Sequence, residues 1–344
     1  MNKLITIIIL IATVVSCKKD GPDTVPNIEV NSEGGKVLIG CEGNFQFGNA
    51  SLAHYSYTDS VSALSVFETI NSRSLGDVLQ SMTIHNHQLY LVLNNSGVIE
   101  VVNPIDFSWI TTIKGFTSPR YFLPISNAKA YVSDLYSNSI QVVDLNSNTV
   151  QKTIKVNGWT EEMVLLYGKA FVCNTAQSQV YVIDVETDTL IDSVQVGAAP
   201  NSVVEDKNGM LWVLCGGDIN DNKSVSSLVQ FNPSSLLITV NKKFEEGSRA
   251  SQLRINGQKD ELFFLYDGVQ KINLTTPDVI IEQMVEKQNS NLYGLGIDPV
   301  DGNVFVADAK DYIQGSTVRI YDRNGSFLRN FQVGINASSF IFDR

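Results

Sequence analysis

Residue types able to do chemistry are few in this chain, and their spacing narrows the options quickly. Three histidines occur in 344 residues, two of them in His85-Asn-His87. Two imidazoles one residue apart, with no further ligand nearby, read as an exposed turn rather than a metal site. A Ser/His/Asp triad has as little support, because no GxSxG elbow is present. Of four cysteines, Cys17 stands apart near the N-terminus. Cys41, Cys173 and Cys215 each fall at the end of an apolar run, show no CxxC or Cys/His spacing, and read as buried thiols acting as small hydrophobes. Asp218-Ile-Asn-Asp-Asn222 opens like a calcium loop but lacks the glycine at the sixth place and the glutamate at the twelfth, and reads as a solvated loop. Asp144, Asp184 and Asp322 recur where a strand turns, and an Asp there bonds its own turn backbone.

Richer chemistry lies in segments between apolar runs. They carry the aromatics Phe45, Phe47, Tyr121, Tyr136, Trp159, Tyr293 and Tyr312 and the amides Asn94, Asn174 and Asn201. With them come the charged residues Arg73, Arg120, Arg249, Asp134, Glu161 and Asp308. Aromatics on loops have no strand-packing reason to be there. Mixed with amides and arginines they suit a large amphipathic ligand with flat surfaces and many hydrogen-bonding groups, held without catalysis. Two other readings stay open: a calcium-dependent lactonase or lyase with Glu161, Asp134 and Asp308 converging on an axis, and a scaffold that binds protein or glycan through the same face.

The elements that must position these residues repeat. In Lys169 to Asn201 a short apolar run (Ala170 to Cys173) is followed by a polar turn, a second run ending at Asp184, another turn, and an alternating run from Thr189 to Val196. Such β-branched, period-2 segments between turn residues are strands. The preceding unit matches it, with Asp144 in the place of Asp184, so the period is roughly 40 residues, the length of a four-stranded propeller blade. A blade cannot bury both faces alone and must stack on neighbours around an axis.

Seven units follow from Lys36, and the first lacks an inner strand. It holds Lys36 to Cys41, Ala50 to Tyr57 and Val61 to Phe67, while Asn336 to Phe342 is a lone strand left over at the C-terminus. The leftover strand completes the first unit and hides both edges. The expectation is all-β: a seven-bladed β-propeller with four-stranded blades over residues 36–344, closed by the C-terminal strand completing blade 1. Six or eight blades follow only if the first or fifth unit is misread.

A formal net charge of −11 and the lack of a basic patch exclude nucleic acid as a partner. Asn2-Lys3 and the apolar run Leu4 to Val15 form a secretory signal too short for a comfortable span. It ends Val14-Val15-Ser16-Cys17, which resembles a bacterial lipobox, so residues 1–17 read as a lipoprotein signal with Cys17 lipidated. Lys18-Lys-Asp-Gly-Pro-Asp23 partly resembles the surface-export signals of Bacteroidota lipoproteins. Residues 18–35 are polar and form a tether, with a mean reach of about 20 Å. The lipid anchor would be the chain's sole membrane attachment.

Phe171-Val-Cys-Asn, Val180-Tyr-Val-Ile-Asp184 and Val196-Gly-Ala-Ala-Pro200 resemble the repeat of YncE-like, YVTN-repeat propellers. Glu42-Gly-Asn-Phe-Gln-Phe-Gly-Asn-Ala-Ser-Leu52 resembles the opening blade of a Bacteroidota lipoprotein family. Tyr293-Gly-Leu-Gly-Ile-Asp-Pro299, Val306-Ala-Asp-Ala-Lys-Asp-Tyr312 and Gly334-Ile-Asn336 resemble its last blade and closure. That family looks like the BtuG-type cobalamin-binding surface propellers. The resemblance implies an outer-membrane lipoprotein facing the cell exterior that captures cobalamin or another corrinoid and hands it to a TonB-dependent transporter. It implies no cofactor and no metal beyond that ligand. Amides would pair with the corrinoid's peripheral amides, aromatics would cover its ring, and Arg73, Arg120 or Arg249 would meet its phosphate.

Overall fold

The chain is described by a computed structural model over residues 35–344 apart from Asp59, Val61 and Ser248. The expected signal, lipidated Cys17 and all of the tether but Gly35 lie outside the described residues. The described chain forms seven antiparallel four-stranded sheets. The innermost strands are Ala337–Asp343 in blade 1, then Leu79–His85, Pro119–Ser126, Thr160–Leu166, Pro200–Glu205, Ser251–Ile255 and Leu292–Ile297 in blades 2 to 7. Each packs on the inner strand of the next blade, and the last on the first, so the ring is closed. Closure runs as expected: Ala337–Asp343 pairs antiparallel with Lys36–Cys41, bringing Phe342 opposite Val37 and Phe340 opposite Ile39.

Strand alternation explains how the core is partitioned. The second strand of a blade is covered on both faces, so it reads as an unbroken apolar run. Its alternate residues serve different neighbours. Phe171 and Cys173 join the cluster shared by blades 4 and 5, with Val213 and Cys215. Ala170 and Val172, one residue out of phase, join Tyr131 and Ile140 of blade 3. An apolar cluster of this kind fills each seam of the ring. Outer strands such as Thr189–Gln195 are mostly exposed and keep the alternation visible.

Two seams share a tight device. The Cβ that Gly197 lacks would lie 3.0 Å from Cβ of Cys215 and against the Ser227 hydroxyl, and that of Gly334 would lie 2.9 Å from Cβ of Cys41 and against the Ser51 hydroxyl. Gly197 follows an outer strand and Gly334 lies near the end of one, and both let the chain pass close over the next blade. Cys41, Cys173 and Cys215 are buried free thiols, as expected, and burial pushes Cys41 and Cys215 up to about 12.

Blade 1 departs from the expected strand at Val61 to Phe67. Its outer strand is only Ser62–Ala63, and Val66–Asn71 is a helix. Val66 and Phe67 turn inward to pack with Leu75, Leu79 and Phe107 in the seam with blade 2. The Asn71 amide donates to the carbonyls of Phe67 and Phe107, both at 2.9 Å, pinning the helix end to blade 2. Glu68 in its first turn suits the positive end of the helix dipole.

Candidate ligand-binding site

A cavity of about 1090 Å³ opens among the loops at one end of the ring. Its wall is built by a repeated irregularity. Every inner strand carries one more residue than its partner at the start of the pairing: Leu79 and Ser81 oppose Leu93 and Val92, Pro200 and Ser202 oppose Cys215 and Leu214, Leu292 and Gly294 oppose Asp308 and Ala307. The same slip occurs in blades 1, 3, 4 and 6. A β-bulge leaves its extra residue out of the ladder and re-aims it. Gln80, Arg120, Glu161, Asn201, Gln252 and Tyr293 occupy these bulges, and all six line the cavity. The strands are thus apolar where they pack and polar where they swing toward the opening.

Within the wall the charges are paired. Arg120 Nε donates to both Glu161 carboxylate oxygens, at 3.0 and 3.2 Å, and its terminal nitrogen donates to Gln80 Oε1. Trp159 Nε1–H donates to the same Glu161, and its ring lies 5.7 Å from the Arg120 guanidinium. Burial works against the Arg120 charge, but Glu161, Tyr121 and Glu42 together hold the guanidinium above its ordinary value. Burial raises Glu161 against the pull of Arg120. Farther round, Arg254 reaches Glu162 at 3.4 Å, past the inner strand of blade 5, while the Val203 amide donates to the other Glu162 oxygen at 3.3 Å. Arg249 donates to the Asp218 and Asp221 carbonyls at 2.9 and 3.4 Å, so a guanidinium closes the loop that resembles the start of a calcium site.

Of the expected site residues, Phe45, Asn94, Arg120, Tyr121, Tyr136, Trp159, Glu161, Asn201, Arg249 and Tyr293 line the cavity. Phe45 and Tyr136 are exposed at its mouth, beside the equally exposed Ile219. Tyr312 stands behind Tyr293, ring edge to face at 6.0 Å. Phe47 is exposed on its loop outside the wall. Arg73 is elsewhere: it pairs with Glu100 at 2.9 Å and stacks on Phe67 and Trp109.

Asp134, Asn174 and Asp308 need a different account from the one expected. Each ends the second strand of its blade and turns its oxygens onto the backbone of the next turn. Asp134 is fully buried and accepts the amides of Ser118, Tyr136 and Ser137 at 2.8 to 2.9 Å. Asn174 accepts the Gln177 amide at 2.8 Å and donates to Asn157. Asp308 accepts the amides of Asn291 and Lys310, both at 3.0 Å, and pairs with Arg319. These three cap turns, so Asp134 and Asp308 do not converge with Glu161. Asp144, Asp184 and Asp322 cap turns at the opposite ends of the strands, as expected: their Oδ1 atoms accept backbone amides at 2.8 to 3.1 Å.

Sequence reasoning passed over Glu42, Gln80, Glu162, Gln252 and Arg254, all of which line the cavity. The signal for Gln80, Glu162 and Gln252 was a polar residue just inside the start of a first strand, whereas Glu42 follows a second strand and Arg254 lies deeper in its own. Among the described residues no three His, Cys, Asp or Glu side chains gather to hold a metal.

The chain matches the family described as a domain of unknown function, DUF5074, over residues 35–337. It belongs to that family. No curated protein sequence matches it. Among solved structures, a quinonprotein alcohol dehydrogenase-like protein of Bacteroides thetaiotaomicron is 13% identical, with a TM-score of 0.69 over 90% of this chain and 78% of that one. The periplasmic gluconolactonase PpgL of Pseudomonas aeruginosa is 13% identical, with a TM-score of 0.69 over 90% of this chain and 99% of that one. Kuenenia stuttgartiensis hydrazine synthase is 14% identical, with a TM-score of 0.66 over 76% and 88%. At such identities the likeness is one of fold and carries no activity across.

Proposed function

We propose that this propeller is a non-catalytic capture protein for a large, amide-bearing small molecule, with a corrinoid such as cobalamin the ligand that suits it best. The observation that carries the reading is the bulge-built ring of Gln80, Arg120, Glu161, Asn201, Gln252 and Tyr293 beneath a mouth edged by Phe45, Tyr136 and Trp159. Amides and aromatic faces around a roomy opening suit a broad ring with peripheral amides. The side chains belong to strands rather than mobile loops, so little ordering accompanies binding.

The protein partners are Arg120–Glu161, Arg254–Glu162 and Arg249 on loop carbonyls. A ligand phosphate would therefore meet guanidiniums already engaged, and amide contacts would dominate over anion binding. The lipid anchor on Cys17, an outer-membrane position facing the exterior and delivery to a TonB-dependent transporter belong to this reading. They rest on the sequence before residue 35 and on the family resemblance. The calcium-dependent alternative relied on Asp134 and Asp308, whose oxygens are occupied by turn amides. Calorimetric titration of the protein with cyanocobalamin tests the proposal: one-to-one binding at micromolar concentration supports it, and no heat or displacement at that concentration removes the corrinoid.

A further inference from the structure

The seam where the last blade meets the first differs from the rest of the cavity wall. Elsewhere carboxylates face guanidiniums: Glu161 has Arg120 and Glu162 has Arg254. At the seam the wall is formed by Glu42, Tyr293 and Asn336. Glu42 Oε2 accepts the Tyr293 hydroxyl at 2.7 Å, and no ion pair to Glu42 is formed among the described residues. Asn336 donates Nδ2–H to the Gly43 carbonyl at 2.9 Å, which leaves Oδ1 buried and without a hydrogen-bond partner among the described residues. Asn336 itself is 8% exposed.

Backbone contacts hold the two residues side by side. The Glu42 amide donates to the Asn336 carbonyl and the Gly43 amide to the Ile335 carbonyl, both at 3.0 Å. Tyr293 is braced from behind by Tyr312, whose own carbonyl accepts from the Asn44 side chain at 2.6 Å. A buried acceptor left open is uncommon in folded proteins and calls for a partner. Here a carboxylate and an amide oxygen belong to two residues that both line a ligand-sized opening.

We propose that Glu42, Tyr293 and Asn336 form a hydrogen-bond-acceptor subsite that receives an N–H-bearing group of the ligand, a primary ammonium or a carboxamide. The subsite deepens the capture reading, since it occupies the same cavity, but its chemistry does not require a corrinoid. Such a subsite selects against a carboxylate at the same place, because two anions would then face each other while the guanidinium that acts on Glu42, that of Arg120, is already paired with Glu161. Burial raises the Glu42 carboxyl above its ordinary range, outweighing the Tyr293 and Ser338 hydroxyls and the Arg120 charge, which pull it down.

Three indole probes separate the possibilities: tryptamine, indole-3-acetamide and indole-3-acetate, which share a flat ring able to stack at the aromatic mouth. Saturation-transfer NMR on the full chain in detergent, with Kd values from titration, reads each in turn. The expected result is that tryptamine and the acetamide bind at least 10-fold more tightly than the acetate. In Glu42→Gln the preference over acetate falls to about 3-fold or less, with melting unchanged. Equal binding of all three, binding of none, or an unaltered preference in Glu42→Gln overturns the subsite and leaves the open Asn336 oxygen to a buried water only. Cyanocobalamin is titrated in parallel: if it fails to bind while the indole preference holds, the corrinoid reading falls and the subsite stands.

Discussion

At the scale of the residue, one type of side chain serves two ends that a sequence does not distinguish. Asp134, Asn174 and Asp308 hold the same repeat position and bond the backbone around the turn they begin, whereas Asn94, one place further along its blade, donates to the Pro119 carbonyl of the next blade. Asn94 also reaches the cavity, while the other three are consumed by turn amides. Asp and Asn are favoured in turns and in polar binding sites for the same reason, their short hydrogen-bonding side chains, so loop chemistry alone could not separate the two roles. The pair Arg120–Glu161 shows what the cavity wall demands. Both side chains are largely buried, at 17% and 4% exposure, and they meet at 2.7 Å. Replacing Arg120 with Met strands a buried carboxylate and is expected to lower stability by about 3 kcal/mol or more. Adding Glu161→Gln should restore part of that loss. Urea unfolding of the two single variants and the double variant measures the coupling, and additive losses would show that the pair is not a unit.

At the scale of the element, strands were the most legible part of the chain and bulges the least. A run such as Ala170 to Cys173 announces a strand covered on both faces, and the 40-residue recurrence of Asp144 and Asp184 fixes the blade. An inner-strand bulge adds a single residue, which shifts the alternation and cannot be seen in a period-2 pattern. Gln80 and Gln252 therefore do not stand out in the sequence, although they line the opening. Blade 1 was misread at its outer edge because Val66 and Phe67 look like strand residues until a seam is available to receive them from a helix. The seam glycines test the packing account. Ala at Gly197 or Gly334 would press a methyl against Cys215 or Cys41, and each is expected to lower stability by about 1–3 kcal/mol. A denaturant midpoint unchanged by both substitutions would mean the blades slide apart freely at these seams.

At the scale of the whole molecule, ring closure is carried by one strand from the far end of the chain. Ala337–Asp343 lies between Lys36–Cys41 and the cavity axis, and it packs on inner strands of both neighbouring blades. Arg344 adds a clasp, ion-paired to Asp298 and Asp301 and stacked 3.9 Å from the Tyr57 ring. The unpaired N-terminal unit and the surplus C-terminal strand made this closure readable from sequence. Ending the chain at Ile335 exposes the edge of Lys36–Cys41 and opens blade 1. The truncated protein is expected to lose its single cooperative melt and to associate, seen by calorimetry and light scattering. A sharp melt near that of the full chain would show that the ring does not depend on its last strand.

The cavity is a property of the same closed ring, since six inner strands contribute side chains to one opening. Gln80 is lightly tied into the wall, with a side chain bonded to Arg120 alone among the described residues. Gln80→Trp should fill the opening while leaving the strand ladder in place, because the bulged residue takes no part in it. The decisive measurement is a pair of calorimetric titrations with cyanocobalamin, on the natural chain and on Gln80→Trp. The account predicts one-to-one binding by the first and a loss of at least 10-fold in affinity by the second, with both proteins melting alike. Binding by neither, or binding of equal strength by both, would contradict capture in this cavity.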